Sequence, residues 1–598
     1  MRCGLVKRAI SSLAVFTFPV LAMIAATVAL GACWSLGFLR GQPVALRILF
    51  AVSSLGLAGI LLRVVGLTAF SPLREWNGAR LAPLMAFERG VPLYGDPASG
   101  VLSAWIYGPI PALVYLPTSL LHEPTGCIIL GVIQSELMFF APEICAIGLA
   151  WRRIGSAGRM IGPLMLAVLF CIALRNQSLI DGAFFILSDA PAMALIISAC
   201  ILLMGRRSPP AVAVSAVLTV LACWCKQTIV PLAIVPVLFL LLAEEREAAT
   251  TYIKWLLCWG AAISAVLVWQ FGARAMWFNM VTIPSRQPFR YGGQSILPTL
   301  CYGLWEWMKQ AVGPALPMMV LLTMAALIPS RAPTPRTSSR RLGELCRRRP
   351  WIILILASGS LLLPSVLGFI KTSGDYNNFA LSQFPLLLAG CLGIVDLWPE
   401  LTAARPVMAN VIAAIGCSFV FVCGVTADAT RPGALDAISA QLSDPSASRQ
   451  QIIFNFERLH PGVGYFPWEP LPALLAEGKL YHFEWGFIDR ITANLPPSSE
   501  QAMAHVPTKM QFIAIPTDAT IYALKFFPRF TVSGEVPMLP GFTVFSIGAP
   551  SRKGSTMAVT IDDVKKLLCV SPGRMARRLL HILEPSQPAS CLPPPRSS

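Results

Sequence analysis

Four places in the 598-residue sequence set ionisable side chains where they could do chemistry. In SPLREWNGARLAPLMAFERGVPLYGDPASG, Glu75 stands a few residues past an apolar run and Asp96 follows in a Gly-Asp-Pro turn. In SLIDGAFFILSDAPAMAL, Asp189 heads an apolar helix just before Pro191, with Asp181 upstream. In CWCKQTIVP, Lys226 lies between two apolar runs. In FIKTSGDYNNFALSQFP, Lys371, Asp375, Asn377 and Asn378 crowd a short turn that Gly374 lets close tightly. SRQPFRYGG adds Arg286, Arg290 and Tyr291. A carboxylate of this kind can take the proton from an attacking hydroxyl. A lysine acts as a compact point charge for a phosphate. Each place also has a structural reading. Glu75 and Asp96 can solvate a loop, Asp189 or Ser188 can cap a helix, Lys226 can snorkel to an interface, and the 371–378 turn can be an exposed hairpin.

These residues sit in a chain that is 55% apolar and only 13% charged. Soluble proteins carry about 25% charged residues. A large soluble enzyme, a disordered chain and a coiled coil are thereby excluded, and a polytopic membrane protein is expected. Apolar runs near 10–33, 47–69, 127–150, 160–175, 189–204, 211–225, 228–243, 254–271, 310–328, 351–370, 382–396 and 406–426 predict about eleven to twelve transmembrane helices. The net charge of +17 does not indicate nucleic-acid binding, because segments 331–350 and 551–598 hold +11 of it, in the manner of cytoplasmic-face loops. Cysteines such as Cys145, Cys171, Cys200 and Cys417 fall inside apolar runs and read as small hydrophobes. The five histidines show no ligand spacing, so no metal site is expected.

Basic loops at 151–159, 205–210 and 331–350 are assigned to the cytoplasm. Threading the helices between them places 70–126, 176–188, 272–309, 371–381 and everything beyond about 428 on the exoplasmic face. Arg2, Lys7 and Arg8 conflict with that parity at the N-terminus, and the basic tail, which would itself prefer the cytoplasm, conflicts with it at the other end; long tails weigh little in that rule, so the exoplasmic assignment is kept. The domains expected are a transmembrane domain over 1–430, a small exoplasmic α+β domain over 431–550, and a basic, Pro-rich disordered tail over 551–598. In the α+β domain, Trp468, Tyr481, Phe483 and Trp485 could stack on sugars or simply form its core. Asn176-Gln-Ser178 matches a glycosylation sequon by pattern.

The first long loop continues as WIYGPIPALVYLP, where Tyr107-Gly108-Pro109 opens an apolar stretch of about 15 residues, too short to cross and more like a re-entrant or surface helix. An acid just past an early span, a Gly-x-x-x-Tyr turn and a Tyr-Gly-Pro helix together resemble the first loop of GT-C superfamily glycosyltransferases. The similarity extends over roughly 45–430. The resemblance implies a GT-C-like all-α fold and an integral-membrane enzyme that uses a polyprenyl-phosphate-linked sugar. It implies that Glu75 matches the loop-one acid, although the family usually has Asp there; Asp96 is the alternative. Asp189 is the implied second acid, and Asp96, Tyr107, Lys226, Arg286, Arg290, Lys371, Asp375 and Asn377 are substrate-binding candidates. In such an enzyme the base deprotonates the acceptor, a nearby negative charge supports an oxocarbenium-like centre, and cations hold the lipid phosphate. Asp189 or Asp375 would orient the sugars or hold a divalent cation.

The expected activity is transfer of a sugar to a lipid, glycan or protein acceptor at the exoplasmic face of a bacterial inner membrane. The bilayer and the lipid-linked donor are the expected partners, and no nucleic acid is. The alternative is a multi-pass transporter or flippase. That class usually shows paired repeats and ionisable groups near the membrane midplane, whereas the candidate charges here lie at helix ends.

Overall fold

A computed structural model describes residues 44–154, 160–205, 207–290, 296–328, 338–372, 374–427, 433–443, 448–516, 526, 531–535 and 542–546. The expected run at 10–33, the conflict at the N-terminus and the tail over 551–598 lie outside the described residues. Eleven of the twelve apolar runs appear as helices: α1 (Val44–Ala69), followed after a loop helix α2 (Glu75–Glu88) by α3 (Pro124–Ile154), α4 (Ile161–Ala173) with α5 (Gln177–Phe184), α6 (Asp189–Met204), α7 (Pro209–Cys223), a 3-10 stretch Gln227–Ile234 leading into α8 (Val235–Leu242), α9 (Arg246–Phe271), α10 (Ile296–Leu327), α11 (Ile352–Ile370), α12 (Asn377–Ala404) and α13 (Pro406–Val425). Seven of these (α1, α3, α9, α10, α11, α12 and α13) are long and apolar enough to span a membrane, which makes the chain a multi-pass membrane protein.

Among the described residues the count is seven where eleven runs were expected, because four of those runs fold into shorter pieces. α4 and α5 meet at a 94° bend. α6 has 16 residues and α7 has 15. Sixteen helical residues reach about 24 Å, short of a hydrocarbon core of about 30 Å. The apolar stretch after Tyr107 forms the short helical segment Ile110–Leu120, as its length predicted.

α12 is the axis of the bundle, 89% buried along its apolar window, whereas the corresponding window of α9 is only 11% buried and presents Leu257 and Trp269 outward. The α1–α13 contact is closer than side chains allow. A Cβ on Gly56 would lie 2.4 Å from the Val420 carbonyl oxygen, and one on Gly424 would lie 1.9 Å from that of Gly56. Without a hydrophobic drive between helices in lipid, such small-residue contacts let backbones approach and gain dispersion contacts.

Charged contacts divide the bundle into two faces. Arg207 pairs with Glu245, Arg347 with Glu244, and Arg349 with Asp396 and Glu400, which gathers the arginine-bearing loops at one end. The long polar loops meet at the other end, where they join the C-terminal domain. That domain contains α14 (Arg449–Leu459), α15 (Pro470–Glu477) and α16 (Glu484–Thr492), with strands β1 (Gly464–Tyr465), β2 (Phe512–Pro516), β3 (Thr531–Glu535) and β4 (Phe542–Ser546). Its sheet has the order β1-β2-β4-β3; β1 pairs parallel with β2, and β4 runs antiparallel to both its neighbours, with Ile513 opposite Phe545. The α+β domain expected over 431–550 is therefore present, but it begins near Arg449. The helix Ala434–Ser443 packs instead on α1, with Ile438 against Leu62 and Ala69.

Candidate functional site

The loop end of the bundle is organised around a buried ion pair. Lys226 Nζ donates to Asp189 Oδ1 at 2.8 Å, and Asn377 Nδ2 donates to Asp189 Oδ2 at 2.9 Å. Asp189 is fully buried and Lys226 is 4% exposed. The three residues come from the start of α6, the turn after α7 and the start of α12. Local sequence explains each placement. Pro191 suits the first turn of α6, α7 ends at Cys223, and the turn at Gly374 releases the chain into α12. Neither Ser188 nor Asp189 makes a side-chain cap, so the capping reading of Asp189 does not apply. Lys226 does not snorkel either; its ammonium points into the bundle. Each of these two buried side chains has the other as a hydrogen-bonded partner of opposite charge.

The first long loop closes over this pair. The Gly108 N–H donates to the Cys225 carbonyl at 3.2 Å, and a Cβ on Gly108 would fall 1.6 Å from the Trp224 carbonyl oxygen, so this contact requires glycine. Gln227 Nε2 ties the carbonyls of Ile106 (2.7 Å) and Met280 (2.8 Å) to the same turn. Tyr107 is thereby held between two cations, with Lys226 Nζ 5.9 Å and the Arg80 guanidinium 4.9 Å from its ring centroid. Arg80 also covers Trp76 and donates to the Ala104 carbonyl at 2.6 Å. Asn77 braces the entry of α6, donating to the Ser71 carbonyl and accepting from the Ile186 N–H.

The remaining predicted residues occupy distinct places. Lys371 Nζ donates to the Gln287 carbonyl at 2.8 Å, and Arg290 reaches the carbonyls of Gly374 and Lys371, which staples the 286–290 segment to the turn before α12. Asp375 is exposed and accepts the Tyr376 N–H, while Asn378 turns inward and donates to the Asp375 carbonyl. Arg286 is exposed at the end of the short helix Ile283–Arg286. Asp96 accepts the N–H groups of Ala98 and Ser99 and the Ser99 hydroxyl. Those bonds, that of Ala98 first, hold its carboxyl below the usual range, which makes it a weak base. Glu75 begins α2; its side chain, like Tyr291, lies outside the described residues. Asp181 stands 4.0 Å from Arg74 and accepts from Gln177. Asn176 is a buried helix cap that accepts the Leu179 N–H and donates to the Gln310 carbonyl, so the sequon pattern marks a cap.

The structure thus brings Asp189, Lys226, Asn377 and Tyr107 together, and Arg290, Lys371 and Asp375 into an adjoining corner. Asp96 belongs to a third region, where the C-terminal domain docks. There the Leu102 N–H donates to His482 Nδ1 at 2.9 Å, and Nε2 meets the Gln501 carbonyl at 3.0 Å. Burial pushes the His482 imidazole down to about 3. Arg490 donates to the Pro97 carbonyl, and Gln287 donates to Asp489 at 2.7 Å. A narrow cleft lined by Asp96, Ala104, Asn279, Asp489 and Arg490 opens there. Trp468, Tyr481 and Phe483 are buried in the domain core; Trp485 packs on Trp76, with ring centroids 5.0 Å apart.

Sequence reasoning passed over Asn77, Arg80, Gln227, Gln287 and His482. Gln227 adjoins Lys226, Gln287 adjoins Arg286, His482 lies between Tyr481 and Phe483, and Asn77 and Arg80 lie just after Glu75, so adjacency to named residues was the one signal available for all five. No protein-family model matches the chain, and neither a curated protein nor a solved structure shows significant similarity to it.

Proposed function

We propose that the chain is a GT-C-type glycosyltransferase of the bacterial inner membrane, moving a sugar from a polyprenyl-phosphate donor to a lipid, glycan or protein acceptor on the exoplasmic face. One observation carries this reading. The long loops and the C-terminal domain gather at the end of the bundle away from the arginine-bearing loops, over the buried Asp189–Lys226–Asn377 cluster. In the proposed roles, Glu75 takes the acceptor proton as the new glycosidic bond forms. Lys226 is engaged by Asp189, so the exposed Arg286 and Arg290 are the better-placed cations for the leaving lipid phosphate. Asp189 and Asn377 hold the Lys226 turn, and through it Tyr107, in place.

The test is transfer of radiolabelled sugar from polyprenyl-phosphate donors in membranes containing wild type or Glu75→Gln. Transfer is expected from wild type, with a loss of about 10²–10⁴-fold in the variant. Equal transfer by both would remove Glu75 from the role. A transporter is favoured by a single feature, the fully buried Glu143 in α3, whose carboxyl has no hydrogen-bond partner among the described residues. Solute uptake by reconstituted protein without sugar transfer would decide for that reading.

A further inference from the structure

Between the end of α10 at Leu327 and the start of α11 at Ile352 the chain makes a further helix, Ser338–Arg348, with the sequence SSRRLGELCRR. Its place between the ends of two spanning helices holds it at the membrane surface, at the arginine-bearing end of the bundle. It lies across the end of α8. A Cβ on Gly343 would come within 3.0 Å of the Leu242 carbonyl oxygen, and one turn further on Arg347 Nη2 pairs with Glu244 Oε2 at 3.0 Å. Gly343 and Cys346 are buried. Just past the helix, Arg349 is anchored to Asp396 at 2.8 Å and to Glu400, both on α12.

Helical spacing gives the rest of this helix two unlike faces. At about 3.6 residues per turn, positions 340, 341, 344, 347 and 348 fall within one arc of roughly 120°, and they hold four arginines and Glu344. Leu342 and Leu345 fall on the far side from that arc and are 43% and 47% exposed. Two acids answer the arginines: Glu344 pairs with Arg348, and Glu244 pairs with Arg347. Four arginines against two acids leave a surplus of two positive charges. α8 also presents Leu238 and Leu241 outward, so the apolar surface of the bundle reaches up to this helix. A short helix with leucines on one side and arginines on the other, held at a bilayer surface, suits the boundary between headgroups and acyl chains.

We propose that the helix Ser338–Arg348 lies in that boundary and binds anionic phospholipid of the leaflet at the arginine-bearing end. The lipid phosphates meet the guanidinium surplus, and the acyl chains cover Leu342 and Leu345. A zwitterionic lipid covers the leucines equally well but leaves the surplus charge unanswered. Free phosphate answers the charge and leaves the leucines bare. The inference does not depend on sugar transfer.

The test is hydrogen–deuterium exchange of the full-length protein in bilayer nanodiscs of phosphatidylcholine, with and without phosphatidylglycerol, read on peptides covering 338–348. Slower exchange of this helix is expected where phosphatidylglycerol is present. Equal exchange in the two kinds of disc would overturn the proposal, and so would the same slowing by inorganic phosphate added to phosphatidylcholine discs. Native mass spectrometry of the purified protein then compares the two lipids with identical acyl chains. A basic residue near anionic headgroups contributes about fivefold in affinity, so wild type should favour phosphatidylglycerol by about tenfold or more. The triple variant Arg340→Gln/Arg341→Gln/Arg348→Gln, which leaves the Arg347–Glu244 pair in place, should lose most of that preference. Arg152→Gln/Arg153→Gln, in the last turn of α3, should keep it. A preference that survives in the triple variant, or one that disappears in the α3 variant, would place the lipid elsewhere and overturn the assignment. The exchange measurement on wild type decides the matter even where a variant fails to accumulate.

Discussion

Breaking the Lys226–Asp189 pair from one side should cost far more than removing it whole. At 2.8 Å the attraction is about 6 kcal/mol for an effective dielectric of 20, and desolvation of both ions offsets much of it. Lys226→Met leaves the Asp189 carboxylate fully buried with one amide donor from Asn377; Asp189→Asn leaves a buried ammonium facing neutral groups. Removing one member of a buried pair typically costs about 3–5 kcal/mol. The double variant leaves no buried charge and should lose no more than about 2 kcal/mol, which makes it more stable than either single variant. The assay is reversible denaturant unfolding of purified protein in micelles, read as a double-mutant cycle. Single effects that add to within about 0.5 kcal/mol would show that the two charges do not depend on each other, and the assignment of the pair as the organising contact of the site would fail. In the transfer assay, the same series should reduce turnover through displaced Tyr107, with the double variant partly restored relative to Lys226→Met.

Gly108→Ala should cost at least about 3 kcal/mol, at the upper end of overpacking, because its Cβ would lie 1.6 Å from the Trp224 carbonyl oxygen; Gly148→Ala, where nothing lies within 4 Å, is the matched control, and thermal unfolding of the two variants compares them. His482 predicts a pH dependence in the docking of the C-terminal domain. Its folded value of about 3 lies below the ordinary 6.5, so the unfolded state binds the extra proton and stability falls as pH drops from 6.5 towards 3, at about 1.4 kcal/mol per pH unit. Unfolding of wild type and His482→Asn between pH 7 and 4 should show a shallower slope in the variant, and equal slopes would contradict the assignment.

The membrane class was legible in composition because a chain with so little charge has no way to cover its apolar surface in water. Long apolar runs marked the seven spanning helices, and the arginine-rich loops marked one end of the bundle, since both are properties of contiguous segments. The four short runs were harder to read. Apolar length does not distinguish a full crossing from a helix that stops inside the bundle, and the 94° bend between α4 and α5 depends on what packs around it. The small α+β domain was legible from its falling apolar density and alternating stretches, but its start near Arg449 was not, because the helix Ala434–Ser443 is claimed by α1 through Ile438.

The sequence alone determined which residue types could act: scarce acids and cations at the ends of apolar helices, among them Asp189, Lys226 and Asn377. Only tertiary structure decided what each one faces. Asp189 and Lys226 neutralise one another because two helix ends 37 residues apart in sequence meet inside the bundle. Asp96 spends its lone pairs on its own turn, and Arg290 ties two loops together. A side chain's charge is local, but its partner is chosen by packing across the fold, and the partner determines whether that charge is structural or left available to a substrate.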